Sequence, residues 1–154
     1  MTIKTTSTAD AIRKEIVLRA APARVWQALS NTAQFGAWFG AELRGEFVAG
    51  STIEGKVSYQ GKDLAMKLMV ERVEADRLIA FRWHPFAVDP TVDYEQEPTT
   101  LVELAIAPVP GGTLLTVTES GFDRVPEARR ARAFEMNSGG WAQQLDNIAQ
   151  YVGA

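Results

Sequence analysis

Between Ala41 and Glu119, apolar and polar residues alternate at period two in six separate runs: LRGEF (43–47), STIEGKVSY (51–59), LAMKLMVERV (64–73), LIAFRWH (78–84), LVELAIA (101–107) and TLLTVTE (113–119). Period two is the side-chain repeat of a β-strand, so short runs with one apolar parity imply a sheet with one buried and one wetted face. Turn signals at Ala49-Gly50, Gln60-Gly61, Ala75-Asp76 and Gly111-Gly112 join most of the runs as hairpins, which makes the sheet antiparallel. A seventh run, KEIVLRA (14–20), precedes them.

The flanking segments change period. PARVWQAL (22–29) opens with proline, a favoured first helical residue, and places Val25, Trp26 and Leu29 on one side. Asn31 with Gln34 three residues on forms a capping box ahead of FGAWF (35–39). After GFDRVP (121–126), Phe134, Trp141, Leu145, Ile148 and Val152 recur at steps of 7, 4, 3 and 4, which marks one face of a long helix from about Pro126 to Val152. The expectation is an α+β domain of seven antiparallel strands under a C-terminal helix, with two short helices after the first strand. Residues 1–12, polar and without period, are expected to form a flexible tail, and 13–154 a single domain.

Composition narrows the function classes. The chain has no cysteine, so a disulfide framework and a thiolate metal site are excluded. It has no apolar run of about 18 residues and no apolar N-terminal leader, so a cytoplasmic protein without membrane insertion is expected. A net charge of −3 offers no general attraction to nucleic acid.

Parity along the strands assigns Ile53, Val57, Tyr59, Leu64, Met66, Leu68, Val70, Ile79, Phe81, Trp83, Val102, Leu104, Ile106, Leu115 and Val117 to the buried face. Arg82 and His84 fall on the wetter face. His84, the only histidine, has no partner at nucleophile or metal spacing and is read as a dispensable strand-end residue. Glu119 shares parity with Leu115 and Val117. It is either a strand end that reaches water or an inward carboxylate, which must then find hydrogen bonds, a counter-charge, water or a proton. Asn137-Ser138-Gly139-Gly140 interrupts the long helix at a propensity cost of about 2 kcal/mol, which calls for a kink or for close approach of a strand, a ligand or the short helices. Asp89, Asp93, Glu95 and Glu97 lack calcium-loop spacing and read as a solvated loop. Arg124, Arg129, Arg130 and Arg132, interleaved with acids, read as a solvated helix face. Trp38, Phe39, Phe81, Trp83, Phe134 and Trp141 converge between sheet and helices, either as a filled core or as the wall of a cavity.

The first strand, the proline-initiated helix, AWFG (37–40), VERVEADRLIAFRW (70–83), VELAIAPVPGGTLLTVTESGF (102–122) and GGWAQQLDNIAQYV (139–152) resemble, in this order, the START-like or SRPBCC superfamily. The branch they most resemble is named for the activator of the heat-shock-protein-90 ATPase, in its stand-alone bacterial form. The resemblance implies a helix-grip fold, as in the birch-pollen allergen, in which a curved sheet wraps a long C-terminal helix around an apolar cavity. Relatives often carry histidine where this chain has Glu119. The superfamily includes lipid carriers, hormone receptors, polyketide cyclases and resistance proteins, so fold leaves function open.

The expected function is binding of a small hydrophobic or aromatic molecule, without cofactor, metal or catalytic residue. Its wall would be drawn from Trp38, Phe39, Tyr59, Met66, Leu68, Phe81, Trp83, Leu104, Glu119, Phe134 and Trp141. Two alternatives stand beside it. One is a chaperone-cofactor module with a role in stress response and a chaperone as partner; a homodimer is compatible with any of these readings. The other is a polyketide-cyclase-like enzyme acting around Glu119 or Tyr59.

Overall fold

Eight strands form one antiparallel sheet in the computed structural model, which describes residues 2–153. They are β1 (Lys4–Thr5), β2 (Ala11–Leu18), β3 (Ala41–Arg44), β4 (Thr52–Tyr59), β5 (Lys62–Glu74), β6 (Leu78–Trp83), β7 (Thr100–Val109) and β8 (Gly112–Ser120), in the spatial order β1-β2-β8-β7-β6-β5-β4-β3. The extra strand is β1. With two residues it is too short to show alternation, and its pairing of Lys4 with Glu15 and Thr5 with Lys14 is visible only in three dimensions. The first long strand likewise begins at Ala11 rather than 14, with Ile12 fully buried.

Helices α1 (Pro22–Ser30) and α2 (Thr32–Phe39) follow β2, and α3 (Glu127–Gly153) closes the chain. Half of the capping box forms: Asn31 Oδ1 accepts from Gln34 N at 3.0 Å. The Gln34 side chain does not return to Asn31 but accepts from Arg24 Nη1 at 2.9 Å. This is the helix-grip α+β architecture, with one strand more than the seven expected.

Strand parity holds over the core. Ile53, Leu68, Val70, Ile79, Phe81, Val102, Leu104, Leu115 and Val117 are buried together with Trp141, Leu145 and Ile148 of α3. Each side chain buried in this way contributes about 1.5–3 kcal/mol. Val57, Tyr59 and Met66 share that parity yet stay half-buried. The reason is tertiary, because α3 packs on β2, α1 and α2 and makes little contact with β4 and β5. The register also shifts between Val70 and Arg72, a bulge that adds bend to β5. Val57, Tyr59 and Met66, toward the turn of the β4–β5 hairpin, therefore face space rather than helix.

Candidate functional site

That space is a cavity of about 690 Å³ between the β4–β5 hairpin, the end of β6 and the middle of α3. Its floor is aromatic. The ring centroids of Phe39, Trp83 and Trp141 lie 6.1, 6.2 and 5.7 Å apart pairwise, with the two indole planes inclined by 30°. Both indole N–H groups point to one carboxylate: Trp83 Nε1 donates to Glu119 Oε2 at 2.7 Å, and Trp141 Nε1 to Oε1 at 2.9 Å.

Glu119 is fully buried, and β8 continues to Ser120, so the carboxylate is no strand end in water. Besides the indoles it accepts from Thr100 Oγ1 at 2.6 Å and from Asn137 Nδ2 at 3.0 and 3.1 Å. All four partners are neutral donors. A hydrogen bond to a charged group contributes about 1.5–3 kcal/mol, and four of them offset much of the cost of enclosing a carboxylate. Parity therefore placed Glu119 on the correct face, but the expected role as an anchor inside the pocket does not follow. The carboxylate lies behind the wall, and three of its donors, Trp83, Asn137 and Trp141, are the wall.

Of the residues expected to meet a ligand, Phe39, Tyr59, Met66, Trp83 and Trp141 line this cavity. Leu68, Phe81 and Leu104 do not, being sealed in the core at 0%, 0% and 1% exposure. Trp38 is also enclosed, with Nε1 donating to Ala28 O at 2.8 Å. Phe134 packs edge-on against Phe122 at 5.0 Å. Leu68, Phe81 and Leu104 share the inward parity of the lining set but lie inside the packed core, Phe81 against Phe35 of α2 at 6.4 Å, while Trp38 and Phe134 belong to α2 and α3 and pack on that core. Sequence reasoning missed Val57, Leu64, Phe86, Asn137 and Gln144 as lining residues.

A signal was present for the helix side of the cavity. A Cβ built on Gly139 or Gly140 meets nothing within 4 Å, while α3 runs unbroken through both. Close packing against the short helices is thus not their reason. Both glycines border the cavity, where they leave helix backbone bare.

Residues 19–153 match the family described as activator of Hsp90 ATPase homolog 1-like protein. The chain belongs to this family. Similar solved structures include protein Ms6760 from Mycobacterium smegmatis, with TM-score 0.77 and 15% identity over 100% of this chain and 97% of that one. The Aha1 dimer from Colwellia psychrerythraea gives TM-score 0.69 and 18% identity over 92% and 95%. CalU16 from Micromonospora echinospora gives 0.66 and 21% over 99% and 87%. At such identities the likeness is one of fold. No curated protein matches the sequence.

In this member of the activator homologue-like family, Phe86, Ala87 and Val88, from the segment between β6 and β7, complete the cavity lining. β6 ends at Trp83, so strand parity no longer governs His84. Instead of facing water across the sheet, His84 is half-buried at the cavity rim, its Nε2 3.0 Å from Glu97 O. A carbonyl can only accept, so Nε2 carries the hydrogen and Nδ1 keeps its lone pair in the neutral ring. Phe86 sits at φ 50°, an uncommon conformation for an aromatic residue, with its ring 6.2 Å from Tyr59 and 5.8 Å from the Arg132 guanidinium.

Arg129 holds this segment to α3. It donates to Pro85 O at 2.7 Å, to Phe86 O at 3.3 Å and to Glu97 Oε1 at 2.7 and 2.9 Å, and its guanidinium lies 4.9 Å from the Tyr94 ring centroid. The arginine run is therefore more than a solvated face. Nor are the acids of the segment merely solvated: Glu97 pairs with Arg129, and Glu95 pairs with Lys67 at 3.0 Å. Asp89 accepts from the Thr91 side chain and backbone, and these hydrogen bonds hold its carboxyl below the usual aspartate range.

Proposed function

We propose that this chain binds a small, uncharged aromatic or hydrophobic molecule in the cavity between the β4–β5 hairpin and α3. The observation that carries this reading is the 690 Å³ space floored by Phe39, Trp83 and Trp141, at which α3 gives up two side chains through Gly139 and Gly140. Its volume lies within the range of small-molecule pockets, about 300–1,000 Å³, and its lining is of the aromatic kind such pockets use. A helix that sacrifices about 2 kcal/mol of propensity without any packing neighbour is explained if that backbone borders a guest.

The cyclase-like alternative relied on Glu119 or Tyr59. Glu119 is enclosed by four donors, which leaves Tyr59 alone and favours binding over chemistry. A chaperone-docking surface would call for a contiguous exposed apolar patch. Among the described residues the exposed large apolar side chains are Val17, Val48 and Val92, on three separate segments.

Titration with the neutral fluorescent probe N-phenyl-1-naphthylamine tests the proposal. Saturable uptake by the wild type, weakened at least tenfold in Gly140→Leu, is the expected result. Equal uptake by both would place the probe elsewhere and remove the support for this cavity.

A further inference from the structure

The side-chain polar atoms around the cavity divide unevenly into donors and acceptors, and Glu119 takes up three of the donor groups. Five donor groups of the lining are already committed within the protein. The two indole N–H groups and the Asn137 amide donate to Glu119, Gln144 Nε2 donates to Phe39 O at 2.9 Å, and His84 Nε2 donates to Glu97 O at 3.0 Å. Because a carboxylate only accepts, the Asn137 amide must turn its NH2 toward Glu119, and its Oδ1 is left over.

Asn137 Oδ1 has no hydrogen-bond partner among the described residues, and no enclosed side-chain oxygen or nitrogen among them lacks one. Oδ1 therefore reaches open space, and Asn137 is a wall residue of the cavity. His84 Nδ1 is a second acceptor at the rim. The hydroxyls of Ser58 and Tyr59, nearer the mouth, can serve either way. At Asn137 and the two indoles, hydrogen bonding is thus available to a ligand that donates, whereas a ligand that only accepts meets indole carbon and amide oxygen there.

On the reading of this cavity as a ligand site, we propose that Glu119 is a positioning residue that makes the wall an acceptor surface, selecting an uncharged aromatic molecule with a hydrogen-bond donor, such as a phenol or an aryl amine. A ligand donor would meet Asn137 Oδ1, while its rings lie on the indoles and the bare backbone of Gly139 and Gly140. Glu119 itself touches no ligand.

Calorimetric titration with 1-naphthol and 1-methoxynaphthalene, which present similar aromatic area but differ in the donor, tests this. The wild type should prefer 1-naphthol by about tenfold, the scale of one lost and mispaired hydrogen bond. Asn137→Leu keeps three donors on Glu119 but removes the acceptor, so the preference should fall to within about twofold. In the double variant Glu119→Gln with Thr100→Val, the new amide N–H finds only Asn137 able to accept, because indoles cannot. Asn137 then turns over and presents its NH2, so the preference should move toward 1-methoxynaphthalene. If the double variant fails to fold by circular dichroism, Asn137→Leu decides alone. A wild type that binds both probes equally, or a preference that survives in Asn137→Leu, overturns the role given to Glu119 and Asn137 while leaving the cavity reading intact. Failure of the wild type to bind either probe overturns the cavity reading as well.

Discussion

Replacing both Gly139 and Gly140 by alanine should stabilise the free protein and weaken binding in its cavity, a combination that ordinary packing does not produce. The two positions lie inside α3, and a Cβ on either meets no atom within 4 Å, so alanine adds no clash. Glycine in a helix interior is less favourable than alanine by about 0.8–1.0 kcal/mol, so the pair should gain about 2 kcal/mol. In a domain of about this size each kcal/mol raises Tm by roughly 2–4 °C, which gives an expected rise of about 4–8 °C. Both positions border the cavity, so uptake of N-phenyl-1-naphthylamine should weaken even as Tm rises. Differential scanning calorimetry and fluorescence titration of the same preparations read both halves. A fall in Tm would mean that a neighbour packs on these glycines, as overfilling a packed site costs about 1–3 kcal/mol, and the argument from open space would be refuted. A rise in Tm with unchanged uptake would sever the glycines from the site.

Three further outcomes are expected. Trp141→Ala opens a core cavity and takes one donor from Glu119, so urea unfolding should show a loss of about 3–5 kcal/mol; a loss below about 1 kcal/mol would contradict its place in the core. Arg129→Ala removes hydrogen bonds from a charged donor, each contributing about 1.5–3 kcal/mol, so amides of residues 85–97 should exchange with solvent about tenfold faster or more, and unchanged exchange would show that Arg129 does not hold the segment. Asp10 accepts from the backbone N–H of Asp123 at 2.8 Å, which holds its carboxyl below the ordinary aspartate range. A carboxyl depressed on folding stabilises above its unfolded pKa, about 3.9, and loses that contribution as pH falls through its folded value. Asp10→Asn should thus be less stable than the wild type at pH 6, with the difference shrinking as pH falls below about 3.9; a difference that stays constant over that fall would exclude the carboxylate as its source.

Much of this molecule was legible along the chain, for a physical reason. Period two and period 3.6 are properties of consecutive residues, so the strands from Thr52 to Ser120, the helix from Glu127 and the cap at Asn31 follow from local pattern alone. Parity even put Glu119 on the inward face. What pattern could not supply is how far each element extends across its neighbours. Leu68 and Met66 share a strand and a face, yet one is sealed in the core and the other borders a cavity, and α3 packs on β2 with little contact to the β4–β5 hairpin. His84 escaped its parity as soon as β6 ended one residue earlier. The donors on Glu119 stand 36, 22, 19 and 18 residues away in sequence, and nothing in the run TLLTVTE announces them. Which way a strand side chain faces is settled within a few bonds and can be read along the chain; the cavity and the hydrogen bonds that shape its wall depend on distances between elements, which periodicity does not encode, and emerge only when those elements pack.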